Sequence, residues 1–102
     1  MAKYRKFGII PDNVLFDKSL RPNAKIIIAY LSKYATDKIP YTGTNRNIAE
    51  DLGMTELTVT GILSDLERRG YINRVMYPGN FERDGYYRKI FLNKAVVVGR
   101  RN

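Results

Sequence analysis

The chain has 102 residues, is 44% apolar and carries a net charge of +8, which suits one small folded domain with a polyanionic partner. It has no cysteine and no histidine, so disulfides, thiol nucleophiles, cysteine-based zinc sites and histidine-based acid–base or metal chemistry are all absent. Together these exclusions predict a non-enzyme without cofactor or metal, working in a reducing cytoplasm. The longest apolar run, Ile26 to Leu31, is too short to cross a bilayer. The basic stretch MAKYRKFG has no apolar segment behind it and predicts no signal peptide; no basic amphipathic helix points to a membrane surface.

The positive charge is concentrated. Residues 1–7 hold Lys3, Arg5 and Lys6, and residues 93–102 hold Lys94, Arg100 and Arg101. Residues 8–70 are neutral overall, whereas residues 71–92 set Arg74, Arg83, Arg88 and Lys89 against Glu82 and Asp84. The excess therefore lies at both ends and in the segment after Gly70.

In chain order, Phe7 to Ile10 is a short apolar run that reads as a strand or an ordered arm. Pro11-Asp12-Asn13 can start a helical turn carrying Val14, Leu15 and Phe16. Pro22 suits the first turn of a helix, where its missing N–H costs nothing. Ala24, Ile27, Ile28, Leu31 and Ala35 then recur at helical spacing. Ile26 and Tyr30 mark a second apolar stripe, to be covered by the N-terminal segment or by a partner chain. Tyr41-Thr42 reads as a very short strand. Thr44 and Thr55 are N-caps of two further helices, ended by Gly53 and Gly70. Tyr71 to Tyr77 and Tyr86 to Leu92 are rich in β-branched and aromatic residues and predict a hairpin, with turn signals at Pro78-Gly79-Asn80 and Asp84-Gly85. Ala95 to Val98 is a last β-prone stretch.

The segment TNRNIAEDLGMTELTVTGIL, residues 44–63, meets the demands of a helix-turn-helix. Ala49 is small where the second helix would cross the first. Gly53 tolerates a left-handed turn. Val59 is a branched anchor on the inner face, with Ile48, Leu52, Met54 and Ile62 filling the other inward positions. Followed by a β-hairpin, this is a winged arrangement. The predicted fold is α+β: a winged helix-turn-helix of three main helices and a hairpin wing. It forms a single domain over 1–102, with the helix-turn-helix at about 44–69, the wing at about 71–92 and basic arms at 1–7 and 93–102.

RPNAKIIIAYLSKYA, TNRNIAEDLGMTELTVTGILSDLERRGYI and the basic hairpin together resemble the winged-helix DNA-binding domains of replication and transfer proteins from plasmids and phages of Gram-positive bacteria. Within that group they look most like small conjugation accessory proteins. The resemblance implies sequence-specific binding of duplex DNA at a plasmid site such as an origin of transfer, alongside other conjugation or replication proteins. A transcriptional regulator or a replication initiator domain would share the same DNA chemistry. A single-strand binder or a protein adaptor are further alternatives.

In such domains the second helix of the motif enters the major groove. Here it would present Thr55, Glu56, Thr58 and Gly61, with Ser64 and Asp65 further along and Leu57 and Thr60 at the edges. From Thr55 to Glu67 it has three acids and no base, a poor match to phosphates or guanine. The wing is the stronger expectation, with Arg74, Tyr77, Asn80, Arg83, Tyr86, Arg88 and Lys89 as DNA contacts. Lys3, Arg5, Lys6, Arg100 and Arg101 fit arms that follow phosphates, and Arg46 a phosphate contact. Tyr71 and Phe91 read as core. Ala95, Val96, Val97 and Val98 should not stand exposed as a free strand edge; pairing with the same segment of a second chain, or with Phe7 to Ile10, would cover it, and a homodimer bound to two half-sites is expected.

Overall fold

Pro22 opens the longest N-terminal helix and Gly70 closes the helical half of the chain; between them the helices follow from their caps. The computed structural model describes residues 8–78, 86–94 and 96. The elements in order are α1 (Asp12–Leu15), α2 (Pro22–Tyr34), α3 (Asn45–Leu52), α4 (Glu56–Arg68), β1 (Ile72–Pro78) and β2 (Tyr86–Leu92).

Thr44 caps α3 by a reciprocal pair of bonds: its hydroxyl accepts the Asn47 N–H at 3.0 Å, and the Asn47 side-chain oxygen accepts the Thr44 N–H at 3.0 Å. Thr55 caps α4 by accepting the Thr58 N–H at 3.1 Å. The turn between them passes through Gly53 at φ 72°, a left-handed conformation that a side chain would strain. α4 ends the same way: Gly70 has φ 84°, and the Tyr71 N–H returns to the Leu66 carbonyl at 2.9 Å.

α4 packs on α2, α3 and β1. Its Val59, Ile62, Leu63 and Leu66 are buried against Ile27, Ile28 and Leu31 of α2 and Ile48 and Ala49 of α3, all in one core. The hairpin closes that core from the side. Its register pairs Ile72 with Leu92, Arg74 with Ile90 and Met76 with Arg88. Ile72, Ile90 and Leu92 are buried, so these pairs line the face turned to the helices. Asn73, Val75, Lys89 and Phe91 take the other face. Phe91 is thus half-buried on the outer side instead of in the core, whereas Tyr71 does pack against the core. Tyr41 adds the expected short strand as a single antiparallel rung: Tyr41 N–H to Ile90 O at 2.8 Å and Ile90 N–H to Tyr41 O at 3.0 Å.

The segment Gly8–Ile10 is an ordered arm rather than a strand. The Ile9 N–H donates to the Ser32 hydroxyl of α2 at 2.7 Å. A Cβ on Gly8 would lie 2.2 Å from the Ala29 carbonyl oxygen, so only glycine lets the arm lie this close to α2. The second stripe of α2 splits: Tyr30 is buried, against Tyr41 and Asp51, and Ile26 remains exposed.

The expectation of a paired strand at residues 95–98 is not met at Val96. Lys94 and Val96 have helical backbone, the Val96 N–H donates to Asn93 O at 2.9 Å, and the Val96 side chain is buried in the chain's own core. An apolar residue one turn after the last strand can reach the core, and burial there outweighs pairing at an edge. Ala95, Val97 and Val98 lie outside the described residues.

Candidate nucleic-acid interface

α4 turns Val59, Ile62, Leu63 and Leu66 inward, so Leu57, Thr60, Gly61, Ser64 and Arg68 form its outer stripe at helical spacing, and all five are exposed. Leu57, expected at an edge, stands in the middle of this face with 81% of its surface exposed. Thr55 and Thr58 are used differently. Their hydroxyls bond each other at 3.0 Å within the cap, and Thr58 is half-buried.

The acidity of α4 is answered by arginines from three directions. Glu56 accepts from Arg46 Nε of α3 at 3.2 Å. Asp65 accepts from Arg69 Nε at 2.9 Å and also from Arg68. Glu67 accepts from Arg74 of β1, Nη2 to Oε1 at 2.8 Å and Nε to Oε1 at 3.0 Å. All three acids of the helix are therefore paired, and the outer face is close to neutral. The net charge of −3 that made this helix a poor phosphate neighbour in the sequence disappears in three dimensions. The Asp65–Arg68 and Asp65–Arg69 pairs were readable as i,i+3 and i,i+4 spacings. The other two join residues ten and seven positions apart through the fold and had no sequence signal.

The wing's basic side chains divide between its faces. Arg74 and Arg88 lie on the inner face, toward the helices, and Lys89 on the outer face opposite Val75. Arg88 is half-buried and donates from Nη2 to the Gly43 carbonyl at 3.2 Å, just before the start of α3. Burial, with the Arg74 charge beside it, lowers the Arg88 guanidinium from its ordinary value. Arg74 also reaches the Ser64 hydroxyl of α4, Nη2 to Oγ at 3.4 Å. Asn45, the first residue of α3, was not singled out by the sequence; its Nδ2 donates to Thr60 Oγ1 at 3.0 Å and ties α3 to the outer stripe of α4. Arg46, Asn45, Arg74 and Arg88 are in this way all anchored on α4 or at the entrance to α3.

Tyr77 and Tyr86 fall at the far end of the strands, in register with Tyr87 and Pro78. Asn80 and Arg83 of the wing, and Lys3, Arg5, Lys6, Arg100 and Arg101 of the arms, lie outside the described residues.

Between α2, α3 and the loop that joins them is a polar cleft lined by Tyr30, Tyr34, Tyr41, Gly43, Asn47 and Asp51 among others. Tyr30 donates to Asp51 Oδ2 at 2.6 Å, and its hydroxyl lies 3.3 Å from that of Tyr41. Burial, reinforced by the Asp51 bond, raises the Tyr30 phenol above its usual range. This keeps the phenol protonated and holds α2, α3 and the Tyr41 rung together. Among the described residues no cluster of acidic side chains could hold a metal ion. No helix among them is long and apolar enough to cross a membrane.

A two-helix motif with a left-handed glycine turn, a third supporting helix and a hairpin alongside is the architecture of a winged helix-turn-helix. Residues 18–72 match the family model of a helix-turn-helix domain. The chain belongs to that family. Neither the curated proteins nor the solved structures give a match. The helix-turn-helix family match covers α2, α3 and α4 and stops where the wing begins. DNA binding follows for the domain in general, and DNA is its partner in that general sense.

Proposed function

We propose that the protein binds duplex DNA sequence-specifically at a plasmid site such as an origin of transfer, as a non-enzymatic conjugation accessory factor in the cytoplasm. One observation carries the DNA part of this reading: every carboxylate of α4 is paired with an arginine, Arg46 and Arg74 border the exposed face of the helix, and Arg88 reaches the Gly43 carbonyl just before α3. A guanidinium held by one carboxylate or carbonyl keeps further N–H donors for phosphate oxygens. The net charge of +8 supplies long-range attraction. The assignment to transfer rests on the resemblance of the helix-turn-helix and basic hairpin to plasmid replication and transfer proteins.

In this reading the wing and the basic arms lead in affinity. Arg83, Arg88 and Lys89 of the wing follow phosphates or a minor groove, with Lys3, Arg5, Lys6, Arg100 and Arg101 beside them, and α4 is secondary in energy. The assembly is a homodimer on two half-sites, for which Ile9, Phe16 and Ile26 offer exposed apolar area. The test is binding to random duplex and to duplex from the gene's own neighbourhood across a salt series. A site bound about 10³-fold tighter than random duplex, with a steep salt slope, is expected. Replacing Arg83 and Arg88 by alanine should weaken both. Equal, weak affinity for every duplex would sink the sequence-specific reading, and sedimentation as a monomer at high concentration would remove the dimer.

A further inference from the structure

The outer face of α4 contains a combination that the fold itself does not require. Leu57 is a large apolar side chain with 81% of its surface exposed. One turn later on the same stripe is Gly61, in the middle of a helix of 13 residues. Glycine is among the poorest helix formers, and its two usual justifications are missing at this position. Gly61 does not have positive φ; among the described residues only Gly53 and Gly70 do. Nor is it needed for packing, because a Cβ built there meets nothing within 4 Å. The absent side chain therefore leaves room for something outside the chain.

What comes close can be read from the surroundings. The stripe is apolar at Leu57 and bare at Gly61, and guanidinium groups border it. Arg46 lies at the Glu56 end, Arg74 reaches Ser64, and Arg68 closes the stripe at its C-terminal end. An apolar knob beside a bare stretch of helix, bordered by arginines that are each paired with a carboxylate and keep further N–H donors, suits a surface that is apolar at one point and has anionic acceptors at its margins. The floor of the DNA major groove has that pattern. Its one apolar group is the thymine 5-methyl, and phosphates line its walls. Leu57 is the second residue of α4, in the N-terminal turn that faces base edges when such a helix docks.

We infer that Leu57 reads a thymine methyl group in the major groove, and that Gly61 lets the α4 backbone approach the neighbouring base pair. This rests on the duplex-binding reading and adds to it a base preference: the wing and arms supply affinity, and α4 supplies discrimination by contact rather than by charge.

The experiment uses the full chain and a duplex enriched by it from a randomised pool. Each thymine is then replaced by uracil, which removes only the methyl group. Wild type should lose about fourfold in affinity at one or two positions, the effect of one buried methyl. Leu57→Ala should bind the thymine and uracil duplexes alike. Gly61→Ala should melt about 4 to 8 °C higher, because alanine favours the helix, and yet bind the enriched duplex more weakly. A merely structural role for Gly61 would not lower affinity while raising stability. Wild type that is indifferent to uracil at every position, or a Leu57→Ala protein that keeps the penalty, overturns the inference and leaves duplex binding standing. A Gly61→Ala protein that binds as tightly as wild type overturns the role of Gly61. Failure to bind any duplex overturns the DNA reading itself, and this inference with it.

Discussion

Glu67 engages Arg74 at two points: Oε1 accepts Nη2 at 2.8 Å and Nε at 3.0 Å, while Oε2 takes the Arg74 backbone N–H at 3.3 Å. The last turn of α4 is thereby joined to the first strand of the wing. Arg74 holds the Glu67 carboxyl below the ordinary carboxylate value. The same contact withholds part of a guanidinium from any external anion.

Glu67→Gln should accordingly release Arg74 and remove one negative charge from the side of α4 proposed to face DNA. Duplex affinity should rise at low salt, and the slope of log affinity against log salt should steepen by about one. Stability should fall by about 1 kcal/mol, since the pair is partly exposed and Gln can keep one of the bonds. Fluorescence anisotropy across a salt series measures the first effect and a urea titration the second. A slope that does not change would show that Arg74 stays on the helix when DNA is bound.

Asp17 makes folding stability depend on acid pH. Its carboxylate accepts from the Ser19 hydroxyl at 2.6 Å, the Ser19 N–H at 2.9 Å and the Tyr71 hydroxyl, and these bonds pull its pKa from 3.8 down to about 2. Because the folded value is the lower one, the contribution is fully present above the unfolded pKa and is lost as pH falls from about 4 towards 2. Asp17→Asn should flatten the dependence of the urea midpoint on pH in that window. Equal slopes for both proteins would count against the bonds.

Gly43 has no room for a side chain. A Cβ there would lie 2.3 Å from the Tyr41 hydroxyl, and the Gly43 carbonyl is the acceptor for Arg88. Gly43→Ala should therefore displace the Tyr41 ring or the loop, at a cost of about 1 to 3 kcal/mol. It should also lower DNA affinity by moving Arg88. Thermal melting together with duplex titration separates the two effects; a variant with wild-type melting and wild-type binding would show that the loop shifts freely.

Ile62 is 1% exposed at the meeting of α4 with the core. Ile62→Ala should cost about 2 to 5 kcal/mol, a large part of the stability of a domain this size. Thr44→Ala, which removes only the α3 cap, should cost about 1 kcal/mol. Chemical denaturation of the two variants should preserve that order.

The helices were legible because their signals are local. Pro22, Thr44, Gly53, Thr55 and Gly70 each act on the backbone within one turn, and Val59, Ile62, Leu63 and Leu66 fall on one face at helical spacing. The hairpin was legible for the same reason. Val96 was misread because β-branched residues favour strands locally, while its burial depends on where the chain goes after Leu92. The charge of α4 was misread because a linear count cannot register partners such as Arg46 and Arg74, which arrive through tertiary structure. Leu57 was put at an edge because the orientation of α4 about its axis is set by packing against α2, α3 and β1 together.

The single rung between Tyr41 and Ile90 makes the wing a cantilever. Its root is clamped along the free edge of β2 by that rung and by Leu92 N–H to Thr36 O at 3.1 Å, and just past the strand by Asn93 N–H to Tyr71 O at 2.9 Å. A load on the outer part of the hairpin is then borne at the clamp, and the clamp is built from the loop that leads into α3. A force on the wing is therefore felt at the start of α3 as well, where Arg88 also holds the Gly43 carbonyl.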